Sequence, residues 1–343
     1  MKDKTGYGRT CAHLASEGGH LEVVRYAVET CGEELLREKD YDGRTCAHLA
    51  SKGGHLEVVR YVGVTCGEEL LREKDKYRST CAHYASEGGH LEVVRYVAAT
   101  CGEEVLREKD EYGRTCAHWA SEGGHMEVVR YAAATCGEEL LREKDKHGRT
   151  CAHLACVGGH MEVVRYVAAT CGEELLREKD KHGRTCAHLA SVGGHLEVVR
   201  YVAATCGEEE VLREKDKHGK TCAHLASVGG HLEVVRYVAA TCGEELLREK
   251  DKHGRTCAHY ASEGGHLEVV RYAVETCGEE VLREKDKHGW TCAHVASVGG
   301  HLEVVQYVAA TCGEEVLREK DKHGRTCAHE ASHEGHLEVV RYI

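Results

Sequence analysis

Cysteine and histidine, the side chains that most often bind metals or act as nucleophiles, recur together along this sequence. The chain has 20 Cys and 27 His among 343 residues, and it repeats the tetrapeptide Thr-Cys-Ala-His. On a helix, residues two positions apart point about 200° apart, because successive residues turn by about 100°. Cys46 and His48 could therefore not easily hold one ion, and the pattern lacks the paired spacings of zinc sites. We predict no metal site, no cofactor and no catalytic residue.

The composition points to one short unit that is copied many times. The sequence has neither Pro nor Phe, although about 5% Pro is usual. Eight of the nine intervals between tetrapeptides are 35 residues, and one is 36 because of an extra residue at 208–210. A period of this length indicates a solenoid, a propeller or an array. The ten tetrapeptides begin at Thr10, Thr45, Thr80, Thr115, Thr150, Thr185, Thr221, Thr256, Thr291 and Thr326.

The unit at 145–179 shows which elements carry these residues. Residues 145–148 predict a β-turn, because Asp is favoured at the first position of a type I turn and Gly at the last. Thr150 stands where a short helix, helix A, needs its N-cap. After two glycines, residues 161–171 have helical apolar spacing and are followed by Gly172, which predicts helix B and its C-terminal glycine. Residues 173–179 predict one further helical turn. No run has the period of a strand, so a propeller is excluded.

The phrase Asp-x-x-Gly-x-Thr-x-x-His-x-Ala, followed by Gly-His-Leu-Glu-Val-Val, resembles the ankyrin repeat, whose period is 33 residues and whose consensus contains Thr-Pro-Leu-His. Here Cys replaces Pro, and each unit is two residues longer. The resemblance implies an all-α solenoid of stacked antiparallel helix pairs with projecting turns, which we name fingers. It covers 1–343 as one continuous domain, with an incomplete last unit. The units start near residues 8, 43, 78, 113, 148, 183, 219, 254, 289 and 324.

The resemblance also assigns the histidine of each tetrapeptide a structural role, in which it hydrogen-bonds the backbone and the capping threonine. These residues are His13, His48, His83, His118, His153, His188, His224, His259, His294 and His329.

Partner binding is implied for the fingers and for the exposed side of helix A, which line the concave surface in ankyrin repeats. Differences between units concentrate in the fingers and at the residue after the tetrapeptide histidine. Aromatic and arginine side chains are favoured at interfaces. Our candidate partner-binding residues are Tyr41, Tyr77, Tyr112, Trp119, Lys146, His147, Arg149, Lys181, His182, Arg184, Arg255 and Trp290.

Charge narrows the class of partner. The net charge of −12 argues against nucleic-acid binding. Within a unit, the basic residues of the finger are separated from the acidic residues at 173–178, so stacking predicts a basic stripe from Lys146 to Arg325 that would bind an acidic protein segment. The alternative is that both stripes are only solvated. No apolar run approaches the roughly 20 residues of a membrane-spanning helix, and the start resembles no signal peptide, so we expect a cytoplasmic protein without membrane insertion.

The cysteines allow two interpretations. Without a secretion signal, we expect free thiols. Equivalent cysteines of adjacent units would lie about 10 Å apart, too far for a disulfide. Cys46 and Cys66 would meet at one end of a helix pair, and we favour two buried thiols there. A redox role stays open, because a thiol at a helix N-terminus can have a lowered pKa.

Three functions are compatible with this predicted architecture. The first is a non-enzymatic scaffold that binds a protein along the fingers and helix A. The second is an architectural spacer or lattice component, associated with the cytoskeleton, and the uniformity of units five to nine favours it. The third is the recognition arm of an enzyme. The ends carry no obvious caps, so we expect a longer protein or ends that are covered by another protein, including a second copy in head-to-tail contact.

One finger departs from the pattern. Arg78 replaces the finger glycine, and a residue with positive φ there would be strained. We expect a local deviation in the third finger.

Overall fold

The computed structural model describes residues 3–343. The chain divides into two compact units, Met1–Leu175 and Leu176–Ile343, and each unit is a succession of antiparallel helix pairs joined by fingers. Within residues 3–343 there is no β-strand, and none of the helices has the length and apolar composition to cross a membrane. The all-α repeat architecture that the resemblance implies is confirmed.

Helix A begins directly after each tetrapeptide threonine. That threonine has extended backbone, as at Thr115 (φ −94°, ψ 173°), and its side chain accepts the N–H of the histidine three residues later. The predicted N-caps are therefore confirmed. The A helices span Cys11–Glu17, Cys46–Lys52, Cys81–Glu87, Cys116–Glu122, Cys151–Gly158, Cys186–Val192, Cys222–Val228, Cys257–Glu263, Cys292–Val298 and Cys327–Glu334.

In the first nine repeats, helix B follows a pair of glycines and ends immediately before another glycine. Gly172, for example, has φ +96°, a conformation that side-chain-bearing residues rarely adopt, so glycine can end the helix there without strain. The B helices span Leu21–Cys31, Leu56–Cys66, Leu91–Cys101, Met126–Cys136, Met161–Cys171, Leu196–Cys206, Leu232–Cys242, Leu267–Cys277, Leu302–Cys312 and Leu337–Tyr342.

A short third helix occupies the segment in which this repeat is longer than the ankyrin consensus. Its acidic residues come first and its arginine comes last, as the helix dipole favours, and the predicted helical turn is confirmed. These helices span Glu34–Arg37, Glu68–Arg72, Glu103–Arg107, Glu139–Arg142, Glu173–Arg177, Glu208–Arg213, Glu244–Arg248, Glu279–Leu282 and Glu314–Arg318. The extra residue at 208–210 lengthens one of them to six residues.

The core runs between the helices of each unit. Helix A contributes small side chains such as Ala117, which is fully buried, and helix B contributes valines such as Val129. The short helix adds an aliphatic pair, for example Leu140 and Leu141, and both are fully buried. Burying a leucine side chain stabilises a fold by about 1.5–3 kcal/mol, so the short helix is a structural part of the first nine repeats.

Polar contacts join successive repeats at regular offsets. Between fingers, the N–H of Lys146 donates to the carbonyl oxygen of Tyr112 over 2.7 Å. Between short helices, the Lys109 ammonium lies 2.7 Å from the Glu143 carboxylate. The Arg107 guanidinium donates to the carbonyl of Cys136, the last residue of the next helix B, where the helix dipole favours a cation. Equivalent bonds recur in the second unit, for example from Lys215 to Glu249 and from Arg213 to Cys242.

The third finger has the expected deviation. Arg78 has φ +62° and is the one residue other than glycine with positive φ within residues 3–343. Left-handed backbone costs a residue with a side chain about 1–2 kcal/mol, which glycine avoids.

We therefore expect Arg78→Gly to raise the free energy of unfolding by about 1 kcal/mol, measured by urea denaturation. Lys76→Gly in the same finger is the control, because that residue does not have positive φ. Equal effects of the two substitutions would show that Arg78 is not strained.

Candidate functional site

Each finger is built around a buried aspartate. The Asp145 Oδ1 atom accepts the backbone N–H groups of His147 and Arg149, both over 2.8 Å, and the Asp145 carbonyl accepts the Gly148 N–H. This bonding holds the turn closed and presents residues 146 and 147 to solvent. Burial alone would raise the pKa of the equivalent Asp180 carboxyl, but the backbone N–H of Arg184 and its guanidinium more than offset it and lower this pKa.

The arginines of the predicted basic stripe bond to these aspartates. The Arg149 Nη2 and Arg184 Nη2 atoms lie 2.8 Å from the carboxylates of Asp145 and Asp180. Arg255 instead binds the next finger, through Asp286. The positive charge of each of these three arginines is thus largely compensated inside the protein, and the exposed cations of the fingers are lysines such as Lys146 and Lys181.

Tyrosines project from the fingers of the first compact unit, Met1–Leu175. Tyr41, Tyr77 and Tyr112 are exposed over 62%, 44% and 42% of their surface. Tyr112 also lies beside a guanidinium, with the Arg114 Cζ atom 5.2 Å from its ring centre. In later fingers an exposed histidine, such as His147 or His182, takes this place. These residues share one surface within each unit, and their part in binding stays a prediction.

The two tryptophans are half-buried and use their N–H groups internally. The Trp119 Nε1 atom donates to Asp110 over 3.1 Å, and the Trp290 Nε1 atom donates to Asp321 over 3.0 Å. The Arg114 Cζ atom lies 4.2 Å from the Trp119 ring centre. Both indoles therefore support fingers and expose only part of their rings to solvent.

The residue after the tetrapeptide histidine is buried in eight of the ten repeats, so the expectation that this variable position is exposed on helix A is wrong for them. It is exposed at Leu14 and half-buried at Trp119. At this position the Tyr84 and Tyr260 hydroxyls donate to the finger aspartates Asp75 and Asp251, each over 2.6 Å. The buried members are Leu49, Tyr84, Leu154, Leu189, Leu225, Tyr260, Val295 and Glu330.

The tetrapeptide histidines have the predicted structural role. The Thr115 N–H donates to His118 Nδ1 over 3.2 Å, which leaves Nε2 protonated to donate to the Glu143 carbonyl over 3.0 Å. The His118 ring therefore caps its own helix and bonds the following segment, whereas the buried Nε2 atom of His294 has no such partner within residues 3–343. Burial lowers the pKa of His118 to about 4, because a neutral ring is favoured away from water. The pKa is also lowered at His13, His48, His83, His188, His224, His259 and His294.

The cysteines are free thiols, and eighteen of the twenty are buried. Burial raises the pKa of Cys46, Cys81 and Cys116 to about 12. The expectation of a lowered pKa at these helix N-termini, on which a redox role depended, is therefore wrong for them. Nucleophilic attack requires the thiolate, and these thiols pack as small apolar side chains.

Two concave cavities lie along the fingers and A helices. In the first unit, a cavity of about 380 Å³ is lined by Arg114, Trp119 and the carboxylates of Glu87 and Glu122. No group of three or more His, Cys, Asp and Glu side chains in the described part of the chain could hold a metal ion. The lining of this cavity thus combines a cation, an aromatic ring and two carboxylates.

The second unit has a cavity of about 440 Å³ with different chemistry, lined by three finger histidines, Lys220, Arg255, Tyr260 and Glu263. Lys220 is not among the candidate residues predicted from the sequence. The signal that could have identified it is its residue type, since it is the one lysine at a position that is otherwise arginine in seven of the ten units.

The repeat geometry agrees with the comparison with protein families. The model for ankyrin repeats, which describes three copies, matches residues 1–72, 64–138, 131–211, 169–248, 203–283, 238–319 and 277–343. No curated protein matches the chain at a significant level. Ankyrin repeats are generally protein–protein interaction modules. Because these matches span the sequence, and because capped helix pairs and fingers recur throughout residues 3–343, the chain belongs to the ankyrin-repeat family.

Proposed function

We propose that this chain is a non-enzymatic scaffold that binds a partner protein through its fingers and the adjacent side of helix A. The observation that carries the proposal is the contrast between conserved interior and varied finger tips among the ten repeats. The capping Thr and His recur in all ten tetrapeptides, whereas the exposed finger positions carry Tyr41, Tyr77 or Tyr112 in the first unit and Lys–His in later fingers. Exposed aromatic side chains are favoured anchors at protein interfaces.

Charge favours an acidic segment of the partner for the later fingers. Their exposed tips carry lysine and histidine in succession, as at 146–147 and 181–182. The aspartates that close these fingers are buried and bonded to backbone N–H groups and arginines. An approaching carboxylate therefore meets lysine ammonium groups first, and complementary charge increases the rate and specificity of association.

A matched pair of double variants tests the binding surface. The partner is first captured by chemical cross-linking in cell extract, identified and purified, and its Kd for the full chain is measured by calorimetry. We expect Tyr77→Ala with Tyr112→Ala to weaken binding at least tenfold, about 1.4 kcal/mol. Arg95→Ala with Arg130→Ala removes exposed side chains from helix B and is expected to change Kd less than twofold. Equal weakening by both double variants would contradict the proposal.

An architectural role is the second candidate. The later fingers repeat the same Lys–His pair at 146–147, 181–182, 217–218, 252–253, 287–288 and 322–323, and uniform fingers suit a lattice better than a selective groove. The first helix pair also exposes Leu14, Val23 and Tyr26, which could contact another protein or a second copy. Light scattering over a wide concentration range separates the two functions, since growth into ordered polymers supports the architectural one.

The cytoplasm is the compartment that we propose for this function. Buried free thiols such as Cys116 and Cys151 suit a reducing environment. Association with the cytoskeleton belongs to the architectural candidate. The net charge of −12 supports a protein partner over a nucleic acid.

A further inference from the structure

Lys220 differs from the other cations that precede a capping threonine. Arginine at this position bonds to the buried aspartate of its own finger in several repeats, over 2.8–2.9 Å. Within residues 3–343, the Lys220 ammonium forms no ion pair, and it lies instead 4.1 Å from the centre of the Tyr260 ring. The arginine–aspartate pairs are Arg44–Asp40, Arg114–Asp110, Arg149–Asp145 and Arg184–Asp180.

Two sequence differences leave Lys220 unpaired. Lysine lacks the forked guanidinium with which Arg184 reaches its finger aspartate, and Asp216 is bonded through Oδ1 to the backbone N–H groups of His218 and Lys220. The residue eight positions later also determines whether this cation has a carboxylate partner. Glu122 at that place binds Arg114, and Glu263 binds Arg255. After Lys220 this residue is Val228, which is exposed and uncharged.

The surroundings of Lys220 supply further donors. It lines the 440 Å³ cavity together with His218, His253 and His288, and the rings of His218 and His253 stack with centres 6.4 Å apart. The other polar groups of the cavity already have partners. The Arg255 guanidinium lies 2.9 Å from Glu263, and the Tyr260 hydroxyl donates to Asp251. A ligand entering the cavity therefore meets one unpaired ammonium and adjacent imidazole rings.

We propose that Lys220, with the imidazoles of His218 and His253, binds an oxyanion that is a carboxylate or phosphate group of a bound protein segment. An ammonium forms short, charge-assisted hydrogen bonds with either group, and a neutral imidazole adds one N–H donor. Val228 next to the site offers apolar surface to the same segment. The inference rests on the proposed function only for the source of the anion.

Small anions test the site without a partner. The full chain is labelled with ¹³C at histidine Cε1, and resonances are assigned with single His→Gln variants. Sodium phosphate then replaces sodium chloride at constant pH and ionic strength. We expect saturable shifts at His218 and His253 and no saturable shift at His147 and His323, whose fingers do not line this cavity. Equal shifts at all four histidines would overturn the proposal.

Three substitutions separate the site from a general charge effect. Lys220→Met is expected to weaken phosphate binding at least fivefold, whereas Lys217→Met removes the same charge from the same finger outside the cavity and is expected to change Kd less than twofold. Lys220→Arg keeps the charge but allows pairing with Asp216, as Arg184 pairs with Asp180, and we expect at least threefold weaker binding. Wild-type Kd in Lys220→Met or Lys220→Arg would contradict the assignment.

The nature of the anion is resolved by parallel titrations with acetate and with a short phosphoserine peptide. Saturation by phosphate and the phosphopeptide alone supports a phosphorylated segment, and saturation by acetate as well supports an acidic one. No saturation by any of the three overturns the site. That failure would leave the finger tyrosines and the proposed function intact, because Tyr77 and Tyr112 lie in the other unit.

Discussion

We expect the melting temperature to fall when the pH is lowered from 7.5 to 5.5, because the buried tetrapeptide histidines favour the neutral form in the folded chain. Their pKa values are lowered by burial, to about 4 at His118, whereas an unfolded histidine has a pKa of about 6.5. The contribution of these histidines to the free energy of unfolding is therefore fully present above about pH 6.5. It is lost as the pH falls below this value, because the unfolded chain then takes up protons that the folded chain does not. For His118, this difference in pKa is worth about 1 kcal/mol of stability between the two pH values.

The effect accumulates because eight histidines share the lowered pKa. Scanning calorimetry at the two pH values measures it, and equal melting temperatures would refute the role of burial. The finger aspartates do not act in this interval, since lowered carboxyl pKa values, as at Asp180, affect stability only near or below pH 4. His118→Gln is expected to reduce the difference in unfolding free energy by about 1 kcal/mol, and the exposed His147→Gln is expected to leave it unchanged.

Thr115→Val is expected to lower the free energy of unfolding by about 2 kcal/mol. The substitution keeps the shape of the side chain but removes the hydroxyl, which accepts the His118 backbone N–H and lies 2.9 Å from its Nδ1 atom. Both groups are buried, so water cannot replace the lost bonds. Urea denaturation of the full chain measures the change.

Thr135→Val in helix B of the same repeat is the control. Thr135 is half-buried and caps no helix, so we expect a change below about 0.5 kcal/mol. A similar loss of unfolding free energy in both variants would show that the capping bonds at Thr115 do not stabilise the fold.

Local signals in the sequence were enough to predict the helices of each repeat. Thr150 as an N-cap, Gly172 as a helix end and the strain at Arg78 all depend on backbone geometry within a few residues. The repeat period then predicts that the repeats stack on each other, because only neighbouring copies can cover the apolar side of each helix pair. The cysteines were assigned correctly as small buried thiols, but the lowered pKa that a helix N-terminus allows was overridden by burial.

The finger surface was less predictable because its charges are compensated by residues distant in sequence or hidden by burial. The sequence shows Arg149 and Arg255 as equivalent, yet Arg149 binds its own finger aspartate and Arg255 binds Asp286, thirty-one residues later. Likewise, Tyr260 occupies a position of helix A that the sequence predicts to be exposed. Only the packed structure shows that its hydroxyl donates to the finger aspartate Asp251. In the described part of the chain, no carboxylate pairs with the Lys220 ammonium, which its residue type alone does not reveal.

The fixed offset of the contacts between repeats bears on how such a gene can change. Lys109 reaches Glu143 thirty-four residues later, and Lys179 reaches Glu214 thirty-five residues later, across the one longer repeat. The short helix Glu208–Arg213 accommodates the additional residue. Unequal recombination that adds or removes one internal copy would therefore rejoin every donor with an equivalent acceptor. Length can evolve by whole repeats, while an insertion elsewhere in the repeat would break several bonds at once.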